Sequence, residues 1–345
     1  MIPAGARRSP RGRAAIAGAV AVGALLALGA CSGSSSPSAD ASRATTTAPA
    51  RSTTTAPAAE GTAGCGRDPD VATIAATRPG DVEQTISSGG EDRIYRLAVP
   101  ADYDPETPVP LVLNLHGSGS NALQASAYGD VPRAGTDRGM IVVAPQAIDG
   151  RWELGGTGRD GDFLMALVDD IEQRYCIDED RVHIVGMSLG AWKAAATACA
   201  NPGRFASAVL VTVEVFPGTC DPLPVLAFHG TADRTVPYGE GADPGVTVVG
   251  SNARLPGALH NIAEWADNGG CDPEPALREV GDDVVLRTYA GCDPGVDVEL
   301  YTIQGGGHTW PGADLDIAEP SLTTHTIDAT ALALDWMEAH PRTSR

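Results

Sequence analysis

Gly186-Met187-Ser188-Leu189-Gly190 follows the apolar run RVHIV and precedes a helix-compatible stretch. Two glycines around a serine permit a tight strand-to-helix turn that lifts the hydroxyl above a sheet edge. The helix N-terminus behind it then faces any negative charge that develops. A serine hydroxyl attacks only when a base takes its proton and a third group orients that base. Asp233 comes 45 residues later, in His229-Gly230-Thr231-Ala232-Asp233 after PVLAF. His308 comes 75 residues after that, in Gly305-Gly306-Gly307-His308 after VELYTI. Ser188 is therefore the candidate nucleophile, His308 the general base and Asp233 the orienting acid. His116-Gly117-Ser118-Gly119-Ser120-Asn121 follows PLVLNL. A Gly-rich turn there can aim a backbone N–H at a carbonyl oxygen. The N–H groups of Ser118 and Leu189 are the expected oxyanion donors. Trp310, two residues past His308, is a candidate wall for an acyl or aryl group. Trp152 is a candidate for the cleft mouth. His116 and His229 abut glycines at strand ends and are expected to hold loops by hydrogen bonds.

These loops need a scaffold that places strand ends side by side. Residues 93–99, 110–115, 140–143, 181–185, 208–215, 224–228, 283–289 and 296–303 read as strands. Residues 162–175 carry Phe163, Leu164, Leu167, Val168 and Ile171 on one helical stripe. Helices are also expected at 188–200, 258–267 and 323–339. Short apolar strands alternating with helices favour an α/β fold, a mostly parallel sheet with helices on both faces. The order serine, acid, histidine is that of the α/β-hydrolase fold.

The 345 residues hold 24 basic and 44 acidic side chains, a formal charge of −20. Residues 1–64 carry six Arg against two acids, so the remainder holds a formal −24. So acidic a domain is a poor binder of nucleic acid, which needs clustered Lys and Arg. Arg7, Arg8, Arg11 and Arg13 precede an uncharged run at 14–30, the pattern of a secretory signal. Leu28-Gly29-Ala30-Cys31 resembles a bacterial lipobox, which implies lipidation of Cys31 and cleavage before it. Residues 1–31 are read as this signal. Residues 32–64, nearly all Ser, Thr, Ala, Pro and Gly with TTTAPA twice, are read as a tether. Residues 65–345 are read as one domain. Six cysteines remain beyond Cys31, an even number that suggests three disulfides in an exported chain. No C-x-x-C pair or Cys/His cluster occurs, so no zinc or other metal site is expected.

The segments RIYRLAVPADYDPETPVPLVLNLHGSGSNA, GMSLGA, FHGTADRTVPY, WADNGGC and GGGHTWPG together resemble the polyhydroxybutyrate-depolymerase and feruloyl-esterase-like family of secreted serine esterases. The resemblance covers roughly residues 90–312. With the anchor, the chain looks like an actinobacterial lipoprotein esterase of that family. It implies an α/β-hydrolase, no cofactor, and the roles given above to Ser188, Asp233 and His308. It also implies a disulfide between Cys271 and Cys292. The expected substrate is a small-molecule or polymeric carboxylic ester, and the expected state a monomer. The residues alone leave open an acyltransferase or peptidase on the same triad, or a binding lipoprotein without turnover.

Overall fold

The computed structural model describes residues 61–69, 81–236, 238–239, 256–315, 317 and 319–342. The signal, Cys31 and residues 32–60 of the tether lie outside the described residues. Ten strands form one sheet: β1 Val82–Ser88, β2 Glu91–Ala98, β3 Val109–Leu115, β4 Ile141–Pro145, β5 Ile177–Met187, β6 Ser207–Val211, β7 Val225–Gly230, β8 Ala276–Glu279, β9 Val284–Tyr289 and β10 Val298–Ile303. Their order is β1-β2-β4-β3-β5-β6-β7-β10-β9-β8. The six central strands, β4 to β10 in that order, pair in parallel. Antiparallel pairs flank them at both edges.

The central strands carry apolar runs because both of their faces are covered, although β5 opens with the polar stretch 178–181. Leu111, Leu113 and Leu115 of β3 enter one core, while Val112 enters the other. On β6, Leu210 faces the first core and Val209 and Val211 the second. The first core is roofed by α3 (Arg159–Arg174), α4 (Leu189–Ala200) and α5 (Ala258–Asn268). Phe163, Leu164, Leu167, Val168 and Ile171 make the expected stripe of α3, all fully buried. The second core is covered by α1 (Ala122–Tyr128), α2 (Val131–Thr136) and α6 (Ala329–Ala339).

Several boundaries differ from the sequence reading, each for a local reason. The final helix starts at Ala329, where the Asp328 carboxylate accepts the N–H groups of Thr330 and Ala331, rather than at 323. The strand expected to run to 215 stops at Val211, because Thr212 takes a left-handed conformation with φ 66°. The segment after Cys271 forms the β8–β9 hairpin and extends the main sheet through β10.

The tether boundary also moves. Residues 61–64 pack on the domain: Gly61 bridges Asp178, and buried Thr62 donates its hydroxyl to Tyr175 O at 2.8 Å while accepting Ile177 N–H at 3.0 Å. Small residues carry no apolar signal for docking; the Cys65–Cys176 disulfide brings them there. Cys199–Cys220 and Cys271–Cys292 complete three disulfides, the last being the pair that the resemblance implied. Three disulfides fit an oxidising compartment outside the cytoplasm.

Candidate active site

The parallel strands end along one edge, and every candidate residue projects from a loop there. Ser188 joins β5 to α4 at φ 57° and ψ −124°, a strained conformation for a residue with a side chain. The turn closes because its flanks are glycine. A Cβ on Gly186 would meet the Gly190 backbone at 2.4 Å, and one on Gly190 would meet Leu115 O at 2.3 Å. Ser188 N–H donates to Val211 O at 2.8 Å, tying the elbow to the end of β6.

Asp233 follows β7 and is gripped on both oxygens. Oδ1 accepts the N–H groups of Thr235 and Val236 at 2.7 and 2.9 Å. Oδ2 lies 2.7 Å from His308 Nδ1. Burial pushes the Asp233 carboxyl up, but the His308 hydrogen bond and charge, with His229 behind them, more than offset this and hold it below its ordinary value. An ionised carboxylate only accepts, so His308 Nδ1 carries the proton and Nε2 presents its lone pair. The loops are stitched to each other: Thr231 N–H donates to Ile303 O at 2.9 Å and Ala232 N–H to Gly306 O at 2.8 Å. Nε2 of His308 has a long contact of 3.5 Å to Thr212 Oγ1 rather than a hydrogen bond to Ser188. Such bonds often tighten only with substrate in place. Ser188 and His308 line one cavity of about 170 Å³, with Tyr128, Met187, Trp310 and Ile317.

Ser118 lines the same cavity. Neither its N–H nor that of Leu189, first residue of α4, has a hydrogen-bond partner among the described residues. The loop is held from below. His116 donates from Nδ1 to Gly117 O at 2.7 Å and accepts Ala147 N–H at Nε2 at 3.0 Å. Trp152 is corrected here: it is 4% exposed, stacks near the His116 ring and donates Nε1–H to His116 O at 2.8 Å. It supports the loop at 116–121 instead of lining the mouth. The Gly-rich sequence around it signalled a surface loop and hid the buried indole. Trp310 walls the cavity and is also pinned, with Nε1–H on Thr330 Oγ1 at 3.0 Å.

The chain is 30% identical over 224 residues to feruloyl esterase B of Piromyces equi, covering 61% of this chain but 41% of that protein. It is 28% identical over 260 residues to feruloyl esterase C of Emericella nidulans, covering 70% of this chain and 86% of that one. An acetyl xylan esterase from Aspergillus awamori shares the fold at TM-score 0.53 and 15% identity, over 74% of this chain and 99% of its own. The chain is thus similar to feruloyl esterases, and its structure has the α/β-hydrolase fold. No family model matches it.

Several residues at the site carried no signal in sequence. Thr212 reads as strand, yet its turn puts a hydroxyl beside His308 and lets Glu214 enter the core. Tyr128 sits on a helix that the sequence reading missed, and its hydroxyl accepts Trp310 N–H at 3.2 Å. Glu319 accepts the backbone N–H of His308 at 3.2 Å. Each is brought in by tertiary contact across 11 to 182 residues.

Proposed function

We propose that the chain is an exported serine esterase, lipid-anchored at Cys31, that cleaves carboxylic esters through an acyl-enzyme. Ser188 Oγ attacks the ester carbonyl as His308 Nε2 takes its proton. The N–H groups of Ser118 and Leu189 receive the oxyanion, a contribution of roughly 3 kcal/mol per donor in comparable sites. His308 returns the proton to the leaving alcohol, and water then releases the acid by the same steps in reverse roles. Asp233 keeps the proton on Nδ1 and stabilises the imidazolium. Short-chain, phenolic or hydroxyalkanoate esters are the proposed substrates; phenolic acyl groups follow from the relatives' names, and Trp310 offers them an aromatic wall.

The observation that carries the reading is the 2.7 Å contact between His308 Nδ1 and buried Asp233, at the cavity that the strained Ser188 elbow opens into. The wild-type protein is expected to hydrolyse p-nitrophenyl butyrate and to be labelled by a fluorophosphonate, and Ser188→Ala to lose both. Wild-type rates in Ser188→Ala would show the nucleophile to be another residue. A panel of aryl, short-chain and polymeric esters then ranks the substrate classes.

A further inference from the structure

A second histidine approaches the same Asp233 oxygen, Oδ2, that His308 contacts. His229 is the penultimate residue of β7, and its side chain is fully buried. Its Nδ1 is 2.9 and 3.0 Å from the two oxygens of Glu214, whose side chain is also fully buried. Its Nε2 is 3.2 Å from Val236 O and 3.4 Å from Asp233 Oδ2. A carboxylate on one side, and a carbonyl and a second carboxylate on the other, can only accept. A neutral imidazole has one N–H, so one contact would set a lone pair against an oxygen. An imidazolium satisfies both sides, and a buried Glu214 carboxylate in turn needs a cation.

Burial alone would pull His229 down; Glu214 first, then Asp233 and the Val236 carbonyl, more than offset that and hold it above the ordinary histidine value. The other titratable groups near it are Tyr238, its ring 5.9 Å away and its hydroxyl engaged with Thr302 Oγ1, and His308, which shares Asp233. From α5, Trp265 covers Glu214 with an N–H to its backbone carbonyl at 2.9 Å and adds no charge.

We propose that His229 and Glu214 form a fixed buried ion pair whose imidazolium tempers the pull that Asp233 exerts on His308. His229 is thus a positioning residue acting through Asp233, not a group that touches substrate. The proposal rests on the esterase reading for its effect on rate, but not for the charge state of the pair. The sign follows from distance. The cation lies 3.4 Å from Asp233 Oδ2, with the Glu214 anion beyond it. Neutralising the pair removes the nearer positive charge, so Asp233 holds a proton on His308 more strongly. The active, unprotonated base then appears only at higher pH.

The test uses Glu214→Gln, which keeps the side-chain shape and can donate to Nδ1 while Nε2–H is retained. In histidine-¹⁵N NMR of the wild-type protein, both His229 nitrogens are expected to be protonated from pH 5 to 8. In Glu214→Gln one of them should lose its proton within that range. The acid limb of the kcat/KM profile on p-nitrophenyl butyrate should move up by about half a unit to one unit, with the plateau held within about threefold. A role confined to holding the loop would lower the plateau and leave the limb where it is. A singly protonated wild-type His229 at pH 7 overturns the ion pair. Loss of the charge with an unmoved limb overturns its action on His308. If Glu214→Gln fails to fold, the Glu214→Gln/His229→Gln pair, a neutral amide couple, is expected to show the same limb shift, and the wild-type spectrum decides the ion pair in any case. Absence of all ester hydrolysis refutes the esterase reading while the spectrum still decides the charge.

Discussion

The two loops that converge on Ser188 are held by different physics. On the oxyanion side every support is a neutral hydrogen bond: His116 to Gly117 O and Ala147 N–H, and Trp152 to His116 O. Burial pushes His116 down, and its Nε2 accepts the Ala147 N–H, which only a neutral ring can do. On the acid side, two carboxylates and two imidazoles form one connected run, Glu214–His229–Asp233–His308. The first side has only to aim backbone dipoles, a task of geometry that neutral bonds perform at any working pH. The second has to set a proton affinity, and there nearby charge acts beside burial and hydrogen bonding. Substitutions should therefore differ in kind: those on the oxyanion side change rate without moving the pH profile, whereas those that change a charge on the acid side also move it.

The largest expected break is Asp233→Asn. The amide can turn its NH₂ toward His308 Nδ1, which moves the ring proton to Nε2 and removes the lone pair that should receive the serine proton. A loss in kcat of about 10³- to 10⁴-fold is expected, as in other Ser-His-Asp enzymes. Steady-state kinetics on p-nitrophenyl butyrate, with circular dichroism to show an intact fold, measures it. A loss below tenfold would mean that the tautomer of His308 is set elsewhere.

Trp152→Phe probes the other side. It keeps an aromatic ring against His116 but leaves His116 O without its donor. An unpaired buried acceptor costs about 1–3 kcal/mol, part of which should appear as a shifted Ser118 amide. A fall in kcat of roughly tenfold is expected, with the acid limb of the pH profile unmoved. A limb that moved together with the rate would erase the distinction between the two sides.

How much of this was legible in the sequence follows the same division. The proposed triad, Ser188, Asp233 and His308, stood out in the sequence because each sits in a Gly-marked loop directly after an apolar strand, and strand-loop chemistry is local. The central sheet was readable for the same reason: β3, β5 and β7 carry short apolar runs at 111–113, 184–185 and 225–228. Glu214 was not, since VTVEVF carries no sign that Thr212 reverses the backbone and turns the carboxylate inward. Trp152 was misplaced because burial under a loop depends on a partner 36 residues away. The hairpin β1–β2 was half missed because VEQTISS alternates with only Val and Ile as apolar residues at a sheet edge. The docked segment 61–64 was assigned to the tether because its residues are small, and a disulfide rather than apolar area holds it.

The smallest expected effect on turnover comes from Cys271→Ser/Cys292→Ser, and it sharpens what the acid side requires. This disulfide closes the base of the β8–β9 hairpin, between the end of α5 and the approach to β10. Upstream, α5 carries Trp265, which holds the Glu214 backbone; downstream, β10 leads into the loop of His308. The bridge thus ties together the two ends of the charged run without touching either. Its sequence separation of 21 residues corresponds to roughly 3 kcal/mol on the chain-entropy model. The double variant should lose about that much stability in urea unfolding. If the fold holds, kcat should fall by about threefold through a less well-placed imidazole, and the acid limb should stay put because no charge has changed. A lowered melting point with full kcat would show that β10 and its loop are held by the parallel pairing with β7 alone, and that the bridge serves stability only.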